Sequence, residues 1–362
     1  MAQEHCRSLL KRGDIELRFR DLPYHFAAWG PSKGLFDEPD EALIASISAP
    51  EPDFPADATI NMRAERPDFT PPAHGRKFVF GTPEFRVLPQ ENLDNVRSAR
   101  EVSRDIHVLT PSRWTGVAYE RFGFEPERIH IVPHGIDPHI FHPDAESRAA
   151  TRAAMKLADE FVFMSVGAMT ANKGIDLLLT AFAHVVVAMP EVRLVLKGAD
   201  ALYPSQELLR HTLNAMPPQL RERVARRLLY NGGTLSSRHM AAFLRTADCY
   251  VAPYFAEGFN MPVMEAAGSG VAVICTDGGP TNEFTTPAFT QRIRSKIVPV
   301  ALSDTQTGDA LAPDFDHLVQ LMLDAARNRE RNRLVGVIGA AHIAAHYTWD
   351  KVTDRLLREV LP

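Results

Sequence analysis

The sequence predicts an α/β fold built from two parallel-sheet domains, and three observations carry that expectation. Short apolar runs alternate with amphipathic stretches along most of the chain, the pattern of strands feeding crossover helices. The segment Pro138 to Asp144, with two prolines, interrupts that alternation and reads as a linker between two series. At 362 residues the chain is long enough for two domains.

The elements follow in order. Ala2 to Lys11 reads as a helix, and Ile15 to Arg20, which alternates apolar and charged residues, reads as a strand. Ser48 to Arg76 is rich in Pro, Asp and Ala and reads as loop, with a short strand near Ala58–Met62. Lys77–Gly81 is a strand, Leu93–Arg104 a polar helix, Ile106–Thr110 a strand, Trp114–Phe122 a helix and Ile129–Pro133 a strand. Beyond the linker, Phe161–Gly167 is a buried strand, Gly174–Ala188 an amphipathic helix and Val192–Gly198 the next strand. Leu228–Tyr230 is a further strand. Asp248–Pro253 and Val271–Thr276 are apolar runs that flank a loop and a proline-started helix, a strand–helix–strand unit. Asp316–Arg327 and Val335–Tyr347 read as helices, and Thr348-Trp349-Asp350 caps a last one over Lys351–Val360.

The net charge of −5 gives no general case for nucleic-acid binding. The basic run Arg221–Arg227 reads as a solvated helix face, with membrane-surface contact as its alternative. Cys6, Cys249 and Cys275 have neither metal spacing nor a disulfide pattern, and two of them fall inside core strands. The 14 histidines show no zinc spacing. Asp314-Phe315-Asp316 opens a helix, where acidic residues are at home, so it is not read as a metal site. With no signal peptide and no apolar run that would span a bilayer, a cytoplasmic protein is expected.

The richest stretch is Ala256 to Gly270. It places Glu257 and Glu265 eight positions apart, with Gly258, Phe259, Asn260 and Met261 leading into a helix opened by Pro262. In open parallel sheets ligands sit beyond the carboxyl ends of the strands, and Glu257 falls there. The loop amides and helix N-terminus make an anion site, while carboxylates accept bonds from vicinal hydroxyls. A ligand that is part anion and part polyol, such as a nucleoside diphosphate sugar, satisfies both. Taken singly, Glu265 would favour the helix dipole and Glu257 would be a solvated loop residue.

This stretch resembles the Glu-x7-Glu motif of retaining glycosyltransferases of GT-B fold, the group 1 or family 4 type, and the resemblance runs from about Phe78 to the C-terminus. It implies two Rossmann-like domains facing across a cleft: an acceptor-side domain over 1–140, completed by the C-terminal helix 348–362, and a donor-binding domain over 141–347. Gly167 to Gly174 is similar to the family's Gly-Arg-x4-Lys-Gly element, in which two cations neutralise the departing diphosphate; Lys173 is present, and Ala168 occupies the arginine position. The resemblance assigns catalysis to Lys173 and Glu257. It assigns donor binding to Gly258, Phe259, Asn260, Met261, Glu265, Gly198, Asn231 and Gly135, and an acceptor-side place to Glu84. Trp349 matches an aromatic of the family's final stretch, and Gly278 to Glu283 its Gly-Gly-x-x-Glu region. Members usually begin with a strand and a glycine-rich loop. This sequence opens in a helix, so its N-terminal domain is expected to lack or shorten the first βα unit.

The function implied is transfer of a hexose-type sugar, with retention, from a nucleotide diphosphate sugar to a glycan or lipid-linked acceptor, independently of metal or other cofactor. Peripheral contact at the inner membrane face would accompany a lipid-linked acceptor. Two alternatives are a non-catalytic GT-B nucleotide-sugar binding protein, consistent with Ala168, and a glycoside hydrolase using the paired glutamates, which leaves Lys173 unexplained.

Overall fold

The computed structural model describes residues 2–21, 36, 38–51, 53–62, 67–90, 93 and 96–361. The chain divides into two units. The first comprises Met1–Gly135, Pro299–Asp309 and Tyr347–Pro362, and the second Ile136–Val298 and Ala310–His346. Pro299–Asp309 thus joins the first unit, whereas a division at the linker alone places it in the second.

In the first unit, helices α1 (Ala2–Leu10) and α2 (Glu38–Ala45) precede strands β1 (Ala58–Asn61), β2 (Arg76–Phe80) and β3 (Ile106–Thr110), helix α3 (Arg113–Phe122) and strand β4 (Ile129–Ile131). The four described strands form one parallel sheet in chain order, β1-β2-β3-β4. Its core gathers Val79, Ile106, Val108, Ala118, Tyr119 and Phe124. Ser112 caps α3 by accepting a bond from the Thr115 amide, and Gly123 ends it in the left-handed conformation. Thr348 caps the closing helix, Trp349–Val360, which packs on α1. There His5 bonds the Thr353 hydroxyl at 2.9 Å and meets the Trp349 ring edge-on at 5.3 Å.

Two expectations for this unit fail. Ile15–Arg20 alternates like a strand but joins no sheet among the described residues, where Phe19 N–H bonds the Ser48 carbonyl and no ladder follows. An alternating pattern without a neighbouring strand leaves the backbone unpaired. The helix expected over Leu93–Arg104 falls partly outside the described residues, and the described part holds one 3-10 turn at Ala99–Glu101. Two serines there, Ser98 and Ser103, compete for local backbone bonds, which weakens a helix.

The second unit holds α4 (Ala145–Ala154), β5 (Phe161–Val166), α5 (Ile175–Ala188), β6 (Val192–Lys197), α6 (Ser205–Ala215), α7 (Pro218–Ala225), β7 (Leu228–Asn231) and α8 (Ser237–Arg245). It continues with β8 (Cys249–Ala252), α9 (Met261–Gly268), β9 (Ala272–Thr276), β10 (Thr290–Ile293), the hairpin β11 (Ser295–Ala301) and β12 (Thr307–Pro313), α10 (Phe315–Arg327) and α11 (Arg329–His346). Neither β10 nor the hairpin, which runs on into the first unit, is among the elements expected from the sequence; α11 begins six residues before the expected Val335. Six strands form a parallel sheet in the order β10-β9-β8-β5-β6-β7. The chain therefore runs outward from β5 to β7, returns to the centre at β8, and runs outward the other way. The switch point lies between β5 and β8, where an open α/β sheet leaves a crevice beyond its strand ends. One face of the sheet is sealed by α5, α6, α7 and α10 around Phe163, Phe182, Leu194, Leu196, Val251 and Ile274. Cys249 and Cys275 are buried in this sheet, as their apolar settings in the sequence imply.

Candidate functional site

The loops after β5 and β8 flank the switch point, and each carries one of the residues expected to do chemistry. The β5 loop passes through Met169, at φ 60° a left-handed non-glycine residue, to Lys173 and Gly174. The β8 loop carries Glu257 into α9. Asn172 fastens the two together: its carbonyl accepts from the Phe255 and Ala256 amides at 2.8 and 3.2 Å, and its side-chain amide donates to the Ala256 carbonyl at 3.2 Å. Gly174 completes the fit. Its φ is +68°, and a Cβ there would lie 2.0 Å from the Pro253 carbonyl oxygen, so only glycine closes this approach. The result is an ion pair: Lys173 Nζ stands 2.9 Å from Glu257 Oε1, with side-chain exposures of 19% and 11%.

The rest of the Glu-x7-Glu stretch is arranged around that pair. Asn260, at φ 73°, caps α9, its side chain accepting from the Val263 amide. Met261 and Pro262 form the first helical positions, so Pro262 sits in the opening turn rather than starting the helix. Gly258 is buried, and the buried Phe259 stacks on Phe284 at 4.8 Å. Glu265 faces partly outward on α9. Glu257 and Glu265 share one neighbour. Burial pushes the Tyr250 phenol well above its usual range, and both carboxylates push it the same way. The phenol of Tyr250 accepts from the Val166 amide at 3.1 Å, at the end of β5. The two glutamates therefore flank one strand-end region.

Gly198 and Asn231 come together at the ends of β6 and β7, where the Gly198 amide bonds the Asn231 carbonyl at 2.8 Å. The Asn231 side chain holds the following turn through the Gly233 amide at 2.9 Å. A Cβ at Gly198 would lie 2.1 Å from the Tyr230 hydroxyl oxygen, and that hydroxyl donates to Asp200 at 2.6 Å. Close packing thus requires Gly198 to be glycine. Gly279 of the Gly-Gly region is likewise crowded, since a Cβ there would lie 2.4 Å from Tyr254 Oη. Gly135 and Glu84 belong to the first unit. A Cβ on Gly135 would meet the Trp349 backbone nitrogen at 2.8 Å, so its small size serves the docking of the closing helix. Glu84 lies in the turn after β2, where its carbonyl accepts from Trp114 Nε1 at 2.7 Å. Asp314 caps α10 by accepting from the His317 amide.

Sequence reasoning missed Asn172 and Tyr250. Asn172 carried a signal, since it sits beside Lys173 in the loop motif. Tyr250 is a strand residue, and only the register shows where it emerges. Among the described residues no group of three or more His, Cys, Asp or Glu is arranged to hold a metal ion, and no helix is long and apolar enough to cross a membrane.

Residues 160–299 match the family model Glycosyl transferases group 1. The chain is 26% identical over 271 residues to a GDP-mannose-dependent monoacylated alpha-(1-6)-phosphatidylinositol monomannoside mannosyltransferase of Corynebacterium glutamicum, covering 72% of this chain and 63% of that protein. It is 29% identical over 253 residues to a D-inositol 3-phosphate glycosyltransferase of Segniliparus rotundus, covering 65% of this chain and 47% of that protein. The chain thus spans about half to two thirds of the length of these relatives. Among solved structures it resembles Anabaena HepE in complex with UDP and glucose, with TM-score 0.60, 15% identity, and 78% and 71% of the two chains covered. It also resembles sucrose-phosphate synthase from Thermosynechococcus elongatus, with TM-score 0.59, 18% identity, and 79% and 67% covered. With its two parallel sheets and these structural neighbours, the chain has the GT-B fold, and the stretch 160–299 is similar to the group 1 glycosyl transferases.

Proposed function

We propose that this chain is a retaining glycosyltransferase, transferring a hexose-type sugar from a nucleoside diphosphate sugar to a hydroxyl of a glycan or lipid-linked acceptor. The observation that carries the reading is the Lys173–Glu257 pair, 2.9 Å apart, beside the capped N-terminus of α9 at the sheet's switch point. Because Glu257 is balanced by the Lys173 ammonium, its carboxylate need not repel a phosphate bound beside it. Lys173 and the amides at the head of α9 would hold the diphosphate and stabilise the charge that develops on it as the glycosidic bond breaks. Glu257 and the Gly258–Asn260 loop would orient the transferred sugar, and Glu265 would accept from the ribose hydroxyls. With cations and amides neutralising the leaving group, the reaction is proposed to need no metal. The acceptor, with Glu84 as a candidate contact, would be the source of any association with a membrane surface. That the mannosyltransferase relative acts on a phosphatidylinositol mannoside supports a lipid-linked acceptor.

Melting temperatures measured with UDP, GDP, their sugars and free sugars test the donor assignment, since a ligand of the folded state raises the transition. A rise with a nucleoside diphosphate and its sugar is expected, and no rise with any nucleotide would contradict the proposal. Turnover unaffected by EDTA is expected, and loss of activity restored by a divalent ion would refute the metal-free part.

A further inference from the structure

One buried cation near this site has no role in the reading above. Lys197 closes β6 and is 3% exposed, yet its ammonium donates to the carbonyl of the very next residue, Gly198. The carboxylate that acts on it, that of Asp200, is engaged by the Tyr230 hydroxyl at 2.6 Å and the Gln206 amide at 2.9 Å. A desolvated ammonium whose acceptor is a single carbonyl is costly unless something else balances it. Burial pushes the Lys197 ammonium below the usual lysine range, with Asp200 opposing.

Gly167 links the main chain of Lys197 to the loop that carries Lys173. The Gly167 amide donates to the Lys197 carbonyl at 3.0 Å. The stem of Lys173 passes over the same glycine, its Cγ 3.6 Å from where a Cβ would be. The backbone of Lys197 and the stem of Lys173 therefore both meet one side-chain-free residue at the end of β5. Along β6, Leu194 and Leu196 enter the sealed core, so Lys197 lies on the opposite face. Tyr250 shares that face, since its neighbours Cys249 and Val251 enter the core. Val166 pairs with Lys197 and holds the Tyr250 hydroxyl, which feels Glu257 and Glu265. Ala168 is on this rim too: its carbonyl accepts from Ser205 Oγ at 3.1 Å, and Ser205 Oγ accepts from the Ala199 amide at 3.2 Å. The rim therefore has two carboxylates and Lys173, with no cation at Ala168.

We propose that Lys197 is the second cation of the diphosphate site, entering from the neighbouring strand in place of a side chain at position 168. This rests on the donor reading above. The experiment is calorimetric titration with UDP and GDP, and with uridine and guanosine as phosphate-free controls, on the unmutated protein, Lys197→Met and Lys197→Gln. Lys197→Met replaces a desolvated ammonium with an apolar stem of similar length, which relieves a folding cost; Lys197→Gln is the polar alternative. Loss of a charge-assisted phosphate contact is expected to weaken the preferred diphosphate about tenfold or more while leaving its nucleoside unchanged. Adding Ala168→Arg to Lys197→Met should recover part of that loss. Diphosphate affinity equal to the unmutated protein's in either variant would overturn the inference and leave the donor reading standing, as would equal losses for diphosphate and nucleoside. Failure of the unmutated protein to bind any diphosphate would overturn both.

Discussion

Replacing Lys173 by methionine leaves Glu257, whose side chain is 11% exposed, facing an apolar stem. At 2.9 Å and an effective dielectric near 20, the lost attraction is about 6 kcal/mol before desolvation is counted. Desolvation of both groups offsets much of it, so the net loss of stability is expected to be about 1–3 kcal/mol, between the values for exposed and fully buried pairs. For a unit of this size that corresponds to a fall of roughly 4–8 °C in its unfolding temperature, taking about 2 kcal/mol as the centre. Glu257→Gln keeps an oxygen for Lys173 to donate to and should cost less. The double variant should be less destabilised than the sum of the two, with a coupling of about 1 kcal/mol or more. Activity separates the functional claim from the structural one. If Lys173 stabilises the leaving diphosphate, Lys173→Met lowers kcat about a hundredfold or more, in the range set by removal of one preorganised charge-stabilising donor. Thermal unfolding of the four proteins and steady-state rates with a nucleotide sugar give both readouts. Additive stabilities would show that the pair is not coupled, and an unchanged kcat would refute the role given to Lys173.

Three further outcomes follow from the same structure. Asn172→Ala removes the bond to the Ala256 carbonyl that staples the two site loops, and should cost about 1 kcal/mol and weaken diphosphate binding; unaltered binding would show that the backbone bonds alone hold the loops. Gly174→Ala places a Cβ 2.0 Å from the Pro253 oxygen at a φ of +68°, and should destabilise the second unit by more than about 2 kcal/mol, read by hydrogen exchange in β5 and β8; normal protection there would contradict the close approach. In the first unit, burial lowers His5 to about 4 and His134 to about 3, with nearby positive charge adding to both shifts. The folded state thus refuses protons that the unfolded chain accepts below about pH 6.5, so this contribution to stability is complete above that pH and is lost as pH falls toward 4. Each histidine contributes a slope of up to about 1.4 kcal/mol per pH unit in that window. Denaturant titrations of the closing helix and β4 between pH 7 and 4 check it, and a flat stability would count against the buried, neutral state of both rings.

Much of the second unit was legible because its strands are buried on both faces and read as continuous apolar runs, such as Phe161–Val166 and Ala272–Thr276. The loop and helix of the Glu257–Glu265 stretch were legible because both lie within one local segment, although the helix begins at Met261 rather than at Pro262. Residues placed by pairing were not. Lys197 looks like any strand-end lysine until the register sets it beside Val166 and Gly167, and Asn172 looks like a loop residue until its partners across the switch point are known. In the first unit, Ile15–Arg20 has the composition of a strand but joins no sheet among the described residues, which no local pattern reveals. Gly135 and Gly198 illustrate a different limit. Both read as ligand-facing glycines in the sequence, and both have a packing reason to be glycine, against Trp349 and Tyr230 respectively.

Glycosyl transfer from a nucleoside diphosphate sugar is the reaction proposed for the Lys173–Glu257 site. The most direct measurement follows the anomeric proton of the sugar by NMR while the protein is incubated with UDP-glucose or GDP-mannose, an acceptor panel and water enriched in oxygen-18. Release of the nucleoside diphosphate, a new glycosidic linkage with the donor's anomeric configuration, and little turnover in Lys173→Met are expected. A product of inverted configuration would contradict retention. Cleavage of a nucleotide-free glycoside with oxygen-18 entering the sugar would contradict glycosyl transfer altogether.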